Sequence, residues 1–323
     1  MNSRDLFRYD PDLGYTFIPN LKVRVAHETG GYLVRTNSYG FRSNHEPDSS
    51  GQKIFVFGDS FTAGDGVSNG KRWSDELERL MPGFEVHNFG LPGSGTDQQM
   101  LALEKFGTDF QCDLVVVVVL VENIRRITSA FRPFEMPDGE VRFKAKPYFE
   151  LVDGELVRHH DPVPMDPISS SELGEASTDS GGRYPGLRKL VSKLGVKELV
   201  QRMTAYQPVP DYDDPSSNGW KLMSAILKRY QKICPGEMII VPLPLYQHIE
   251  ETADASSYQA RFAEIGEELG VTIVDPLAEL RNYSIEDRRR FRFENDVHLT
   301  PEGHAAVARA LASSFGGIVG ANQ

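Results

Sequence analysis

Cysteine is nearly absent: the 323 residues hold two, Cys112 and Cys234, far apart in the chain. Such usage excludes the disulfide framework on which small secreted domains depend and suits two unpaired thiols in a reducing compartment. Neither cysteine stands at a metal-ligand spacing. Positive charge is also in deficit, with 35 Lys and Arg against 46 Asp and Glu, a formal charge of -11 and no basic tract. That balance argues against nucleic acid and anionic membrane surfaces as partners. No apolar run approaches the length of a membrane span, and Met1 to Tyr9 lacks the apolar centre of a signal peptide. The expectation is a cytoplasmic protein.

What the chain does have is room for a large core and a clear rhythm. Residues 1–50 alternate short strand-like pieces such as Tyr32-Leu33-Val34-Arg35 with glycine and proline turns, as an extension packed on the core domain would. From Lys53 strands and helices alternate, the pattern of a parallel sheet covered on both faces. After the first strand, Ile54 to Phe57, strands are expected over Phe84 to Asn88, Asp113 to Val121, Met238 to Leu243 and Val271 to Val274. Helices are expected around Trp73 to Leu80, Asp97 to Lys105, Gly219 to Ile233, Ser256 to Leu269 and Pro301 to Ser314. The run Leu114 to Val121 is apolar on both faces, as a central parallel strand requires. The interval 131–218 breaks the rhythm with many Pro, Gly, Ser and Asp residues. It reads as an insertion, a lid or substrate-binding subdomain, with a strand over Lys146 to Leu151, a helix over Leu187 to Met203 and a mobile piece over Glu172 to Gly182. The core is then 51–130 together with 219–323.

Strands of such a sheet end on one edge, where ligands bind. Gly58-Asp59-Ser60 ends the first strand, and a tight turn there can present the serine hydroxyl beside helix N-terminal N–H groups. Asn88-Phe89-Gly90-Leu91-Pro92-Gly93-Ser94-Gly95 comes after the second, Glu122-Asn123-Ile124 after the third, and Asn295-Asp296-Val297-His298 after the last. Each block alone has a structural explanation: helix caps, a glycine loop, a surface histidine. Together they supply what acyl transfer needs. Ser60 would be the nucleophile, and His298 the base that takes its proton and returns it to the leaving alcohol. Asp296, two residues from His298 and so on the same side of an extended loop, would orient the ring. The backbone N–H groups of Ser60 and Gly93 and the Asn123 amide would hold the oxyanion, each donor stabilising the transition state by roughly 3 to 4 kcal/mol. Neither a metal nor a cofactor is expected. Gly90, Gly93 and Gly95 lack the dinucleotide spacing, and Arg158-His159-His160-Asp161 reads as an exposed turn. His304, at the start of the last helix, reads as structural.

These blocks resemble the SGNH, or GDSL-type, hydrolases, in which Gly58-Asp59-Ser60, Gly93, Asn123 and His298 match the four sequence blocks of the family. The resemblance covers about residues 53 to 130 and 219 to 315 and implies a flavodoxin-like three-layer α/β/α fold with a central sheet of five parallel strands. Two departures stand out. The position three before His298 is Asn295 rather than aspartate, which leaves Asp296 as the acid, with Asn295 and Glu294 as competitors; the Asp-x-His spacing resembles that of SGNH-like polysaccharide acetyltransfer proteins. Glu122 brings a carboxylate to the oxyanion site, unhelpful there unless Arg125 or Arg126 pairs with it. Tyr9 to Tyr15 and Thr36 to Arg42 look like the leader found before the Gly-Asp-Ser block in many bacterial SGNH-type proteins.

The expected activity is serine-dependent hydrolysis of a short acyl ester, acetyl foremost, on a small-molecule or glycan alcohol, a carbohydrate foremost, through an acyl-enzyme on Ser60. An O-acyltransferase using the same serine is one alternative. A catalytically inactive module that binds a glycan or protein is the other. Tyr148, Phe149, Tyr184 and Tyr206 are aromatics of the insertion that could line a sugar site, though most are expected to pack its own core.

Overall fold

The opening segment turns twice on itself. β1 (Phe7–Asp10) pairs antiparallel with β2 (Gly14–Phe17), and β3 (Lys22–Val25) with β4 (Tyr32–Arg35). The two hairpins share a small apolar cluster of Leu6, Phe17, Val25, Tyr32 and Val34. This is a computed structural model, and it describes residues 3–107, 110–135, 140–169, 171–173 and 207–320.

The central sheet begins with β5 (Gln52–Phe57), β6 (Phe84–Asn88) and β7 (Leu114–Leu120). Two antiparallel hairpins come next, β8 (Phe131–Glu135) with β9 (Val141–Ala145) and β10 (Tyr148–Val152) with β11 (Glu155–His159). The sheet then resumes with β12 (Glu237–Leu243) and β13 (Thr272–Ile273). Its order is β13-β12-β7-β5-β6, all parallel. Counted along the core alone that is 2-1-3-4-5, the flavodoxin-like doubly wound order, whose switch point lies between β5 and β7.

Every side chain of β7 is buried, which is why the run is apolar throughout; each buried Val or Leu contributes about 1.5 to 3 kcal/mol. Pro242 sits in β12 without breaking the ladder. It shares with Ile240 the side turned to β13, whose last paired residue is Ile273, so its missing N–H has no partner to lose.

Helices cover both faces. α1 (Ser60–Ala63), α2 (Trp73–Leu80), α3 (Thr96–Ala102) and α4 (Asn123–Ile127) come before the insertion. After it come α5 (Asn218–Ile233), α6 (Tyr246–Ile249), α7 (Ser256–Leu269), α8 (Leu277–Arg281), α9 (Ile285–Arg289) and α10 (Pro301–Gly320). α2 packs on α10, whereas α3, α4 and α7 gather around α5. Buried, neutral His304 joins the first pair: its Nδ1 accepts the Trp73 N–H at 3.1 Å, and burial drives its pKa down to about 3.

The sheet departs from expectation mainly at its margins. β13 keeps two residues of an expected four, because it pairs with β12 alone. The described residues of the insertion hold four strands where one was expected, and that strand starts at Tyr148 rather than Lys146, whose ammonium turns instead to buried Asp97. His159 and His160 are half-buried rather than exposed. His159 stacks on Tyr148, and His160 Nδ1 lies 2.8 Å from the Lys146 carbonyl. Phe149 is buried in the main core. The expected helix over Leu187 to Met203, Tyr184, Tyr206 and most of Glu172 to Gly182 lie outside the described residues. Among the described residues no helix is long and apolar enough to cross a membrane.

Candidate active site

β5 stops at Phe57 because the chain must turn sharply under its own next helix. A Cβ at Gly58 would run into the Thr62 side chain, so the turn needs glycine there. Buried Asp59 caps α1, its Oδ1 accepting the Phe61 N–H at 3.0 Å, while its Oδ2 takes a 2.9 Å ion pair from Arg126. The second block is tied onto this turn. Leu91 N–H donates to the Gly58 carbonyl at 2.9 Å, and the Asn88 amide donates to the Thr62 carbonyl at 2.6 Å.

Ser60 is thereby held at the first turn of α1 with its Oγ 2.8 Å from Nε2 of His298. The other ring nitrogen, Nδ1, is 2.6 Å from Oδ1 of Asp296, and the same oxygen accepts the His298 backbone N–H at 3.0 Å. With Nδ1 facing a carboxylate, the ring proton sits on Nδ1 and Nε2 is left to accept from the serine hydroxyl. The His298 bond holds the Asp296 carboxyl far below the usual carboxylate range. Burial pushes the His298 pKa down. The Asp296 hydrogen bond and the charges of Asp65, Asp296 and Asp59 outweigh it and leave the pKa raised.

The two competitors for the acid position lie elsewhere. Asn295 is occupied by Glu28, to which its backbone N–H and side-chain amide donate at 3.1 and 2.8 Å, and Glu294 is exposed. Asp296 has a second partner that local spacing could not reveal: His27, from the β3–β4 connection, places Nε2 3.4 Å from Oδ2.

Ser60 and His298 open on a cavity of about 640 Å³, whose wall also includes Gly93, Phe61, Leu120 and Tyr246. Gly93 has φ +74°, and a Cβ there would collide with the guanidinium of Arg132. Asn123 is fully buried at the start of α4, and neither atom of its amide has a partner among the described residues. It is not on the cavity wall as the side chains stand; its neighbour Glu122 is. Glu122 pairs with Arg125 at 3.3 Å, half-exposed, and Arg126 turns to Asp59 instead.

Two further residues meet at the glycine of the second block. Tyr15, from β2, donates to the Pro92 carbonyl at 2.6 Å, and Arg132, from β8, donates through Nη1 to the Tyr15 hydroxyl at 2.6 Å and to the Pro92 carbonyl at 3.1 Å. Both come from segments outside the sheet, and no motif marks either of them.

A sequence model of the GDSL-like Lipase/Acylhydrolase family matches residues 56–306. A curated 4-hydroxy-3-methylbut-2-en-1-yl diphosphate synthase (ferredoxin) of Microcystis aeruginosa is 28% identical over 166 residues, 42% of this chain, and the chain spans 38% of that protein's length. Among solved structures, a member of the lipolytic protein G-D-S-L family from Veillonella parvula is 12% identical, with a TM-score of 0.44 over 82% of this chain and 98% of its own. The acetylxylan esterase Axe2 from Geobacillus stearothermophilus is 13% identical, with a TM-score of 0.43 over 83% and 95%. With the family's sequence pattern running from β5 into α10, and a doubly wound sheet carrying its Gly-Asp-Ser block at the end of β5, the chain belongs to the GDSL-like lipase/acylhydrolase family.

Proposed function

We propose that the protein is a serine esterase that removes a short acyl group, acetyl foremost, from a carbohydrate hydroxyl. The observation that carries this reading is the hydrogen-bonded series Ser60–His298–Asp296 opening on a cavity. In the first half-reaction Ser60 Oγ attacks the acyl carbon as its proton passes to His298 Nε2, and the Asp296 carboxylate stabilises the imidazolium. The negative charge on the carbonyl oxygen is met by the N–H groups of Ser60 and Gly93 and by the Asn123 amide, which has no hydrogen bond to give up among the described residues. Collapse breaks the ester C–O bond, and the alcohol leaves with the proton from Nε2. Water then repeats the sequence on the acyl-enzyme and frees the acid.

The preference for a short acyl group rests on the wall, which mixes Phe61, Leu120 and Tyr246 with Glu122, Arg126 and Arg132 and so suits a small acyl group on a polar alcohol better than an alkyl chain. We assign the segment 131–218 the role of a substrate wall and residues 1–50 that of a brace, on the contacts of Arg132 and of His27 respectively. Free thiols at Cys112 and Cys234 accord with a reducing compartment, and the cytoplasm is the location we propose. The test is labelling with a fluorophosphonate and peptide mapping, alongside hydrolysis of an aryl acetate by wild type and Ser60→Ala. Label on Ser60 and loss of hydrolysis in the variant are expected. Equal hydrolysis by the two proteins, with Ser60 unlabelled, sinks the reading.

A further inference from the structure

The protein is acidic overall, yet the wall around Gly93 is cationic. The cavity that holds Ser60 adjoins a second one of about 440 Å³, and the two share Gly93, Glu122, Arg125, Arg126 and Arg132; Lys146 lines the second. Three of these four cations are neutralised in place: Arg125 by Glu122, Arg126 by Asp59 and Lys146 by Asp97. Arg132 is the exception. Its hydrogen-bond partners among the described residues are the Tyr15 hydroxyl and the Pro92 carbonyl, both neutral and both bound through Nη1.

That leaves the Nε and Nη2 edge of the guanidinium without a partner among the described residues, and the guanidinium lies against the α-carbon of Gly93. Such an edge presents two parallel N–H groups, the match for the two oxygens of one carboxylate. The Arg132 guanidinium carbon lies over the Tyr15 ring, 5.6 Å from its centroid, and with the Nη1 bond to the Tyr15 hydroxyl this contact holds the group in place. Of the two acidic residues on the wall, Glu122 is spent on Arg125, and Asp65 interacts with His298.

Resting on the esterase reading above, we propose that the alcohol half of the substrate carries a carboxylate beside the acylated hydroxyl, as in an O-acylated uronic acid, and that Arg132 binds it. Arg132 is then a specificity determinant supplied by the insertion. It selects the anionic sugar at a point next to the oxyanion glycine, which places the acyl carbon toward Ser60.

The test uses three probes: an O-acetylated methyl glucuronoside, the same compound with its carboxyl methylated, and an O-acetylated glucoside 6-phosphate. Equilibrium binding to Ser60→Ala reads recognition without turnover, and kcat/KM of the wild type reads turnover. The free acid is expected to bind Ser60→Ala about tenfold tighter than its methyl ester, a preference that shrinks at high salt. Adding Arg132→Gln should erase the preference, and Arg132→Lys should keep part of it, since charge survives but the fork does not. Equal binding of acid and methyl ester overturns the inference. So does a preference that survives Arg132→Gln, a phosphate preferred to the carboxylate, or an Arg132→Gln loss that falls equally on both esters. The two readings fail separately: turnover without charge preference removes this inference alone, while charge-selective binding with no turnover of any acetate removes the esterase and leaves the anion site.

Discussion

His27 and Asp296 meet across the fold: Nε2 of the histidine is 3.4 Å from Oδ2 of the carboxylate whose other oxygen holds His298. The His27 ring is packed against Phe293, centroids 4.5 Å apart, and its Nδ1 faces the Thr29 hydroxyl and backbone N–H at 3.0 and 3.5 Å. With Nδ1 accepting from that backbone N–H, the proton lies on Nε2 and is donated to Asp296. On the esterase reading, this contact makes His27, in the second opening hairpin, a positioning residue for the Asp296 carboxylate.

Removing it frees one carboxylate oxygen while leaving the Ser60–His298 bond in place. A bond this long to a partly exposed carboxylate is worth about 1 kcal/mol, so His27→Ala should lower kcat roughly fivefold with KM unchanged. His27→Gln, which can still donate, should recover part of the loss. Steady-state kinetics check this, and a change confined to KM would assign His27 to substrate binding instead.

The acid itself makes a stronger demand. Asp296→Asn keeps the shape but favours the wrong ring tautomer, and in a triad such a change costs up to about 10⁴-fold in kcat. Asn295→Ala should stay near wild type, since Asn295 bonds Glu28. The pH profile gives a second readout. His298 must be unprotonated to act as base, so kcat/KM should rise with pH through a pKa above the ordinary histidine value of about 6.5. The Asp296 hydrogen bond and charge contribute to that elevation, so the acid limb of Asp296→Asn should move to lower pH. A limb that stays in place would show that another group titrates.

Much of this site was legible in the sequence because its parts are local. Leu114 to Leu120 announces a central strand by being apolar on both faces, and Gly58-Asp59-Ser60, Gly93 and Asp296-Val297-His298 each lie within a few residues of a strand end or a helix start. The structure brings Ser60, His298 and Asp296 into contact. What could not be read joins positions far apart: Arg132 with Tyr15 is a contact between two segments outside the sheet, and His27 with Asp296 links one end of the chain to the other. A single arginine or histidine in a turn-rich stretch has no periodicity to betray its partner. The placement of Glu122 was half legible, since an i, i+3 pair with Arg125 is natural at a helix start, whereas the turn of Arg126 to Asp59 depends on the tertiary fold.

Asn123 makes an unusual prediction about stability. Its amide is buried, and no hydrogen bond from the described residues offsets its desolvation cost. Asn123→Ala should therefore leave the melting temperature unchanged or raise it. If the amide serves the oxyanion, kcat should fall about 10²- to 10³-fold in the same variant. A melting temperature lowered by many degrees, with kcat retained, would make Asn123 a structural residue.

The turn that holds Ser60 rests on two buried arginines. Arg42 donates to the Gly64 and Val67 carbonyls at 2.7 and 2.8 Å, just past the end of α1, and Arg72 donates to the Arg42 carbonyl. Asp75 answers Arg72, accepting its Nε and backbone N–H at 2.8 and 3.0 Å, and also accepts the Gly70 N–H at 2.8 Å and the Asn44 amide at 2.7 Å. Burial alone would raise the Asp75 pKa; the Arg72 charge and these hydrogen bonds outweigh it and bring it down to about 2. A carboxyl whose pKa is lower in the folded protein stabilises the fold above its unfolded value of about 3.9, and that contribution disappears as pH falls through the folded value. Asp75→Asn strands the Arg72 charge in the core and should destabilise the protein at neutral pH by about 3 to 5 kcal/mol. The gap between wild type and variant should then narrow as pH drops from about 4 to about 2. Urea unfolding of both proteins across that range measures it, and a gap that stays constant would mean that Asp75 does not titrate there.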